Sequence, residues 1–352
     1  MRRTRRLVIL AALAAALILA AVLWINLRPR EQGQIYLYGE RHAVKKIQER
    51  EFELWYDYYH GEGMRHLFFE LPYFDGELLN LWMHSDSDEI LDALFEDWAG
   101  SDGASPSYRT LFQSIKDRCP ETVFHGTDVG HGYETNGVKF LQYLQEHHLE
   151  NTEQYRLTEE AIAQGRYYHE HAPGPAYREN KMAENFIREF DKLRGEHVMG
   201  IYGFMHTGLD AMNADSSVPC MGNQLKVRYG DPVHSEDLIW LALKTDPDRV
   251  DTIQVNGADY EAPYFGGEDI SSYSPGYVYR EFWRLEHAYD DFKGRPKTGT
   301  LLPYSEYPMP VETGQVFAID YTKADGSVTR MYYRSDEDAL WDGRPATVGF
   351  FN

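Results

Sequence analysis

Four short apolar runs, each closed by polar residues, most restrict the folds open to this chain: "QIYLYG" (34–39), "RHLFFEL" (65–71), "TVFHGTD" (122–128) and "HVMGIYG" (197–203). They are rich in aromatic and β-branched residues and apolar on both faces, as strands buried in a helix-covered parallel sheet are. Between them lie longer stretches whose apolar residues fall at three- and four-residue steps. In 43–60 these are Val44, Ile47, Leu54, Trp55 and Tyr58; in 177–193 they are Met182, Phe186, Phe190 and Leu193. Similar helical patterns cover 76–98, 107–117, 136–148 and 153–170. The alternation predicts an α/β domain over 34–222, with a layered, mostly parallel central sheet flanked by helices.

Beyond residue 223 Pro, Gly, Tyr and Asp become frequent, and a β-rich accessory region is expected over 223–352. There "GQVFAIDYT" and "SVTRMYYRS" flank "KADG", a hairpin signal through Asp-Gly. A helical segment is expected near 277–292. The acidic, aromatic stretch "DYEAPYFGGEDISSYSPGYVY" reads either as a loop over the site or as a packed surface loop.

The N-terminus differs from the rest. Residues 7–27, "LVILAALAAALILAAVLWINL", carry no charge and follow "MRRTRR". At a helical rise of 1.5 Å they would span about 31 Å, the thickness of a bilayer core. The arginines before the run place residues 1–6 in the cytoplasm and the main domain outside it, with 7–27 as a single uncleaved membrane anchor. The formal charge of −21 disfavours phosphate backbones, so no nucleic-acid partner is expected. Two cysteines, Cys119 and Cys220, exclude a disulfide-dense scaffold and cysteine-rich metal clusters; one disulfide or two unrelated buried thiols both remain open.

In open parallel sheets ligands collect at the carboxyl ends of the strands. The first strand delivers Glu40 and His42 there, the second Glu70, the third His125, Asp128 and then His131, and the fourth His206. Two histidines and at least one carboxylate gathered at that edge have the ligand set of a catalytic metal that activates water, and suit Zn, Mn, Fe or Co alike. Glu40 is a candidate base or a helix-start carboxylate. His125, Asp128 and His131 are extra ligands, substrate contacts, or parts of a Gly-rich turn capped by Asp128. His147, His148, His169 and His171 are expected to be solvated. No Gly-x-Ser-x-Gly elbow, phosphate-cradling loop or His-Glu-x-x-His helix occurs.

Gly39-Glu40-Arg41-His42 and Gly203-Phe204-Met205-His206 are both Gly-x-x-His immediately after an apolar run. This pair resembles the motifs of the TraB/TIKI superfamily, which includes ChaN-like haem-uptake proteins and erythromycin esterases. The strand-end Glu70, "HGTD" with Asp128, and "YRENKMAENF" (177–186) are similar to esterase segments. The resemblance covers about 34–210 and implies a reactive centre of His42, Glu70 and His206. It gives Glu40 a base or supporting role and Arg178 an anion or oxyanion. The Glu-to-His spacing is one residue shorter here than in the esterases. The expectation is a membrane-anchored, extracytoplasmic hydrolase that cleaves an ester or amide bond in a small-molecule or peptide substrate, with His42, Glu70 and His206 holding a divalent metal or activating water directly. A haem or metal carrier using the same cleft and a silent surface interaction protein are the alternatives.

Overall fold

A computed structural model describes residues 32–271, 274, 276–341 and 344–352. The expected anchor, 7–27, lies outside these residues. Among the described residues no helix is long and apolar enough to cross a membrane.

The four expected strands form as β1 (Ile35–Glu40), β2 (His66–Pro72), β3 (Val123–Asp128) and β4 (Val198–Gly203). A fifth, β5 (Val233–Asp237), completes a wholly parallel sheet in the order β3-β2-β4-β1-β5. The α/β unit therefore runs past residue 222. Sequence reasoning missed β5 because "VHSED" buries only its first residue fully, as an edge strand can, and leaves no apolar pattern.

Helices cover both faces of this sheet. They are α1 (Lys45–Asp57), α2 (Tyr73–Met83), α3 (Glu89–Asp97), α4 (Pro106–Arg118), α5 (Asn136–Glu146), α6 (Glu153–His171), α7 (Pro175–Lys192) and α8 (Met221–Tyr229). The helix expected over 76–98 is two, split where "HSDSD" supplies turn formers instead of core residues. Ser105 caps α4 and Thr152 caps α6, each accepting a backbone N–H three residues on. One face packs around Trp55, Phe69, Trp82 and Phe112, the other around Leu37, Phe68, Met182, Phe186 and Tyr202. Cys119 and Cys220 are both buried, and the Cys220 thiol donates to the Gly208 carbonyl at 3.0 Å.

The remainder is an antiparallel seven-stranded sheet. Its strands are β6 (Arg249–Val255), β7 (Ala258–Asp269), β8 (Tyr279–Leu285), β9 (Lys297–Leu302), β10 (Val316–Thr322), β11 (Val328–Arg334) and, after the short pair β12 (Leu340–Trp341) and β13 (Arg344–Pro345), β14 (Thr347–Phe350). The Asp-Gly hairpin forms between β10 and β11, with Thr322 opposite Val328. Two expectations are corrected here. The helix near 277–292 is strand β8 followed by a single turn, α9 (Tyr289–Phe292). Phe282 enters the core on one face and Trp283 and Leu285 that on the other, so the two-sided burial hid the period-two pattern. The stretch read as a loop is largely strand β7, paired with β6 and β8.

Candidate active site

Because every strand of the first sheet points the same way, Glu40, Glu70, Asp128 and the turn after Gly203 meet at one edge. Glu40 stands opposite Gly203 in the β1–β4 register. The two glycines of the paired motifs serve each other's turn. A Cβ on Gly39 would lie 2.6 Å from Thr207 Oγ1 and 3.0 Å from Phe204 Cα; one on Gly203 would lie 3.1 Å from His42 Nε2 and 3.2 Å from Glu70 Oε2. Each motif thus needs glycine so that the histidine turn of the other can approach.

His42 is fixed through its inner nitrogen. Nδ1–H donates to Glu40 Oε1 at 2.8 Å, leaving the Nε2 edge facing Glu70 Oε2 at 3.9 Å. Glu40 is only 2 % exposed. It also accepts from the Tyr108 hydroxyl and from Gln48 Nε2 at 2.8 Å. Of the roles expected of Glu40, base or support, oxygens so engaged suit the support of His42. Burial would pull the His42 imidazole down, but the Glu40 hydrogen bond and the charge of Glu70 outweigh it and hold the ring at about 9.

His206 repeats the device. Its Nδ1 bonds Glu179, whose other oxygen accepts the Met221 N–H at 2.8 Å, and its Nε2 lies 3.5 Å from Glu70 Oε1. Burial would lower this imidazole too, but Glu70 and Glu179 raise it. Between the histidines Glu70 accepts from Arg178 Nη2 and from the Gly203 N–H, each at 2.5 Å. Burial alone would raise the Glu70 carboxyl; His206, Arg178 and His42 bring it down to about 2. Arg178 also grips Asp128 through Nε at 3.0 Å and Nη2 at 2.6 Å, and its Nη1 lies 3.4 Å from His206 Nε2. That clamp holds the buried Asp128 carboxyl far below its usual range despite desolvation.

The cleft above these groups has a volume of about 420 Å³ and is walled by Phe69, Trp98, Tyr108 and Phe112. His131 lines it, 3.3 Å from Asp128, and also touches the exposed His169 at 3.1 Å. His169 is therefore a neighbour of the site, not simply a solvated residue. His125 does not reach the cleft. It lies three residues, about 10 Å, short of the end of β3, paired with His66 at 2.9 Å and stacked on Phe68. Burial and His66 bring it down to about 3.

The arrangement does not suit the expected metal. Both oxygens of Glu70 already accept hydrogen bonds, and the permanent cation Arg178 stands where a divalent ion would have to bridge Glu70 and His206. Among the described residues, no three His, Cys, Asp or Glu side chains converge on a metal position. His42, Glu70 and His206 come together, but around a guanidinium.

Sequence reasoning missed Tyr108, Gln48, Glu179, Asp75 and Glu51. Glu179 adjoins Arg178 in a segment already singled out, and that was its signal; Tyr108 and Gln48 carry ordinary helical spacing and gave none. Asp75 lines the cleft, accepts from Trp98 Nε1 at 2.9 Å and Asn136 Nδ2 at 3.1 Å, and is pushed up to about 7 by burial. Glu51 is fully buried behind Glu40, and among the described residues neither of its oxygens has a hydrogen-bond partner. Burial and then Glu40 raise its carboxyl well above the usual range, so the folded chain keeps its proton. Above the unfolded value of about 4.3 only the unfolded chain gives that proton up, and stability falls by up to about 1.4 kcal/mol per pH unit until the folded group titrates. Glu51→Gln should therefore be more stable than the native chain at pH 8 and equal to it near pH 4 in urea melts. A constant difference at the two pH values would refute this.

No family model matches the chain, and no curated protein does. Among solved structures, a succinoglycan biosynthesis protein is 12% identical at a TM-score of 0.43, covering 58% of this chain. The chain spans slightly under two thirds of that protein's length, 65%. A Bacillus cereus protein (11% identity, TM-score 0.42) covers 71% of this chain and 76% of its own. A mutant of the erythromycin esterase EreC in its open conformation (11%, 0.42) covers 66% and 76%.

Proposed function

We propose that the cleft is a hydrolytic centre for an ester or amide, with His42 as the proton-transferring group. The observation that carries this is the Glu40–His42 pair: a buried carboxylate fixes Nδ1 and turns Nε2 to the cleft, in the logic of a positioned general base. Neutral His42 takes a proton from water as the water oxygen bonds the substrate carbonyl carbon. The charge that develops on the carbonyl oxygen faces Arg178 Nη1, the guanidinium nitrogen not committed to Glu70 or Asp128. Protonated His42 then returns the proton to the leaving oxygen or nitrogen as the carbonyl carbon releases it.

The test is turnover of p-nitrophenyl acetate and amino-acid p-nitroanilides by the purified full-length chain between pH 5 and 10, with and without EDTA. A base held at about 9 is protonated below that value, so kcat/KM should climb about tenfold per pH unit and level near 9. A rate that stays flat and then falls above 9 would make His42 an acid and sink the base assignment. Chelation should leave the rate unchanged. Loss restored by Zn, Mn, Fe or Co would overturn the metal-free reading.

A further inference from the structure

Arg41 sits between the two residues of the Glu40–His42 pair but takes no part in the cleft. Its guanidinium instead reaches across to the antiparallel sheet, where Nη2 donates to Glu268 Oε2 at 2.7 Å. Glu268 lies near the end of β7, beyond an irregularity in the β7–β8 pairing between Tyr264 and Gly267. Such irregularities re-aim a strand end. Its second oxygen accepts from Arg280 Nε at 2.6 Å, and Arg280, itself buried, donates on to Glu306 at 2.5 Å. Glu268 is therefore held in direction before Arg41 reaches it.

The residue after His42 adds a second observation. Ala43 has a φ of +60°, a left-handed conformation that L side chains other than Asn or Asp rarely adopt. Such backbone persists only where its surroundings over-determine it. Here Glu40 holds one side of the turn through the imidazole, and Glu268 holds the other through Arg41. The Arg41 and Glu268 side chains are 35% and 24% exposed, so the ion pair by itself adds little to overall stability.

We infer that Glu268 is a positioning residue for His42: the antiparallel sheet acts as a backplate that fixes the Glu40–Arg41–His42 turn through the Arg41 ion pair. The inference deepens the hydrolytic reading and rests on it for the rate effect, but not for the geometry. On that view the C-terminal region is part of the working centre, although none of its described residues lines the cleft above Glu70.

Glu268→Gln in the full-length chain tests this, because it keeps the shape and removes the charge. The imidazole 1H–15N spectrum, with His42 assigned by its loss in His42→Gln, should show the His42 signals shifted or broadened while the other histidines hold still. On p-nitrophenyl acetate kcat should fall about 10- to 100-fold, the scale of a misplacement of about 1 Å, with KM within about twofold. Arg41→Gln should repeat the loss and Arg41→Lys, which keeps the charge opposite Glu268, should show only part of it; a purely structural role would instead lower the melting temperature and move KM as well. An unmoved His42 signal in Glu268→Gln overturns the positioning role, as does an unchanged kcat where His42→Gln is inactive. A moved His42 signal together with full turnover by His42→Gln upholds the positioning and removes the hydrolytic reading instead.

Discussion

Arg178→Met should cost about 3–5 kcal/mol of stability, the loss typical of breaking a buried ion pair from one side. The side chain lies between the buried Asp128 and the nearly buried Glu70, and the substitution removes the cation they share, leaving Glu70 to His206 and His42 and Asp128 to His131. The pH dependence should change as well. In the native chain both carboxyls are depressed, Glu70 to about 2, so their contribution is full above the unfolded values of about 4 and is lost as pH falls through the folded ones. Without Arg178 the Asp128 carboxyl keeps its burial and loses its chief cation, so it moves toward its protonated form, and mild acidification from pH 7 to 5 should narrow the deficit of the variant relative to the native chain. Urea titrations at the two pH values measure both effects. A variant within about 1 kcal/mol of native at pH 7 would show that the guanidinium does not neutralise the pair.

His42→Gln should reduce kcat/KM on a hydrolysed ester or anilide by about 10²- to 10⁴-fold, the usual worth of a positioned proton-transfer group. At about 1.4 kcal/mol per tenfold, that is roughly 3–5.5 kcal/mol of transition-state stabilisation. Stability should change far less, because the side chain is 37% exposed and its removal opens no core cavity. Turnover within threefold of native would exclude His42 from the proton transfer.

Much of this centre was legible from residues alone. Strands β1 to β4 were visible because they are buried on both faces, and their common direction placed Glu40, Glu70, Asp128 and His206 at one edge. Two Gly-x-x-His segments marked the histidines, although the reason for the glycines, each making room for the other motif, appears only in three dimensions. What failed did so for physical reasons. Ligand-type residues do not reveal whether an arginine from a distant helix will fill the space between them, as Arg178 does between Glu70 and His206. A titratable residue written into a strand can lie too far from its end, as His125 does. The carboxyls behind the histidines, Glu51 and Glu179, sit on helices whose patterns look ordinary.

The place of β1 in its sheet has a consequence for how the chain acquires its shape. The strand made first pairs with β4 and β5, and Ile35 finds its nearest partner at Val198, 163 positions later. Closing loops of that length comes late, since their entropy is lost before any contact repays it. During synthesis "IYLYG" therefore waits as an unpaired, sticky segment while β2, β3 and the helices α1 to α7 emerge before its partner β4. The strand-end cluster at its tip is complete only once β4 pairs beside it, and until then the chain exposes its most association-prone strand.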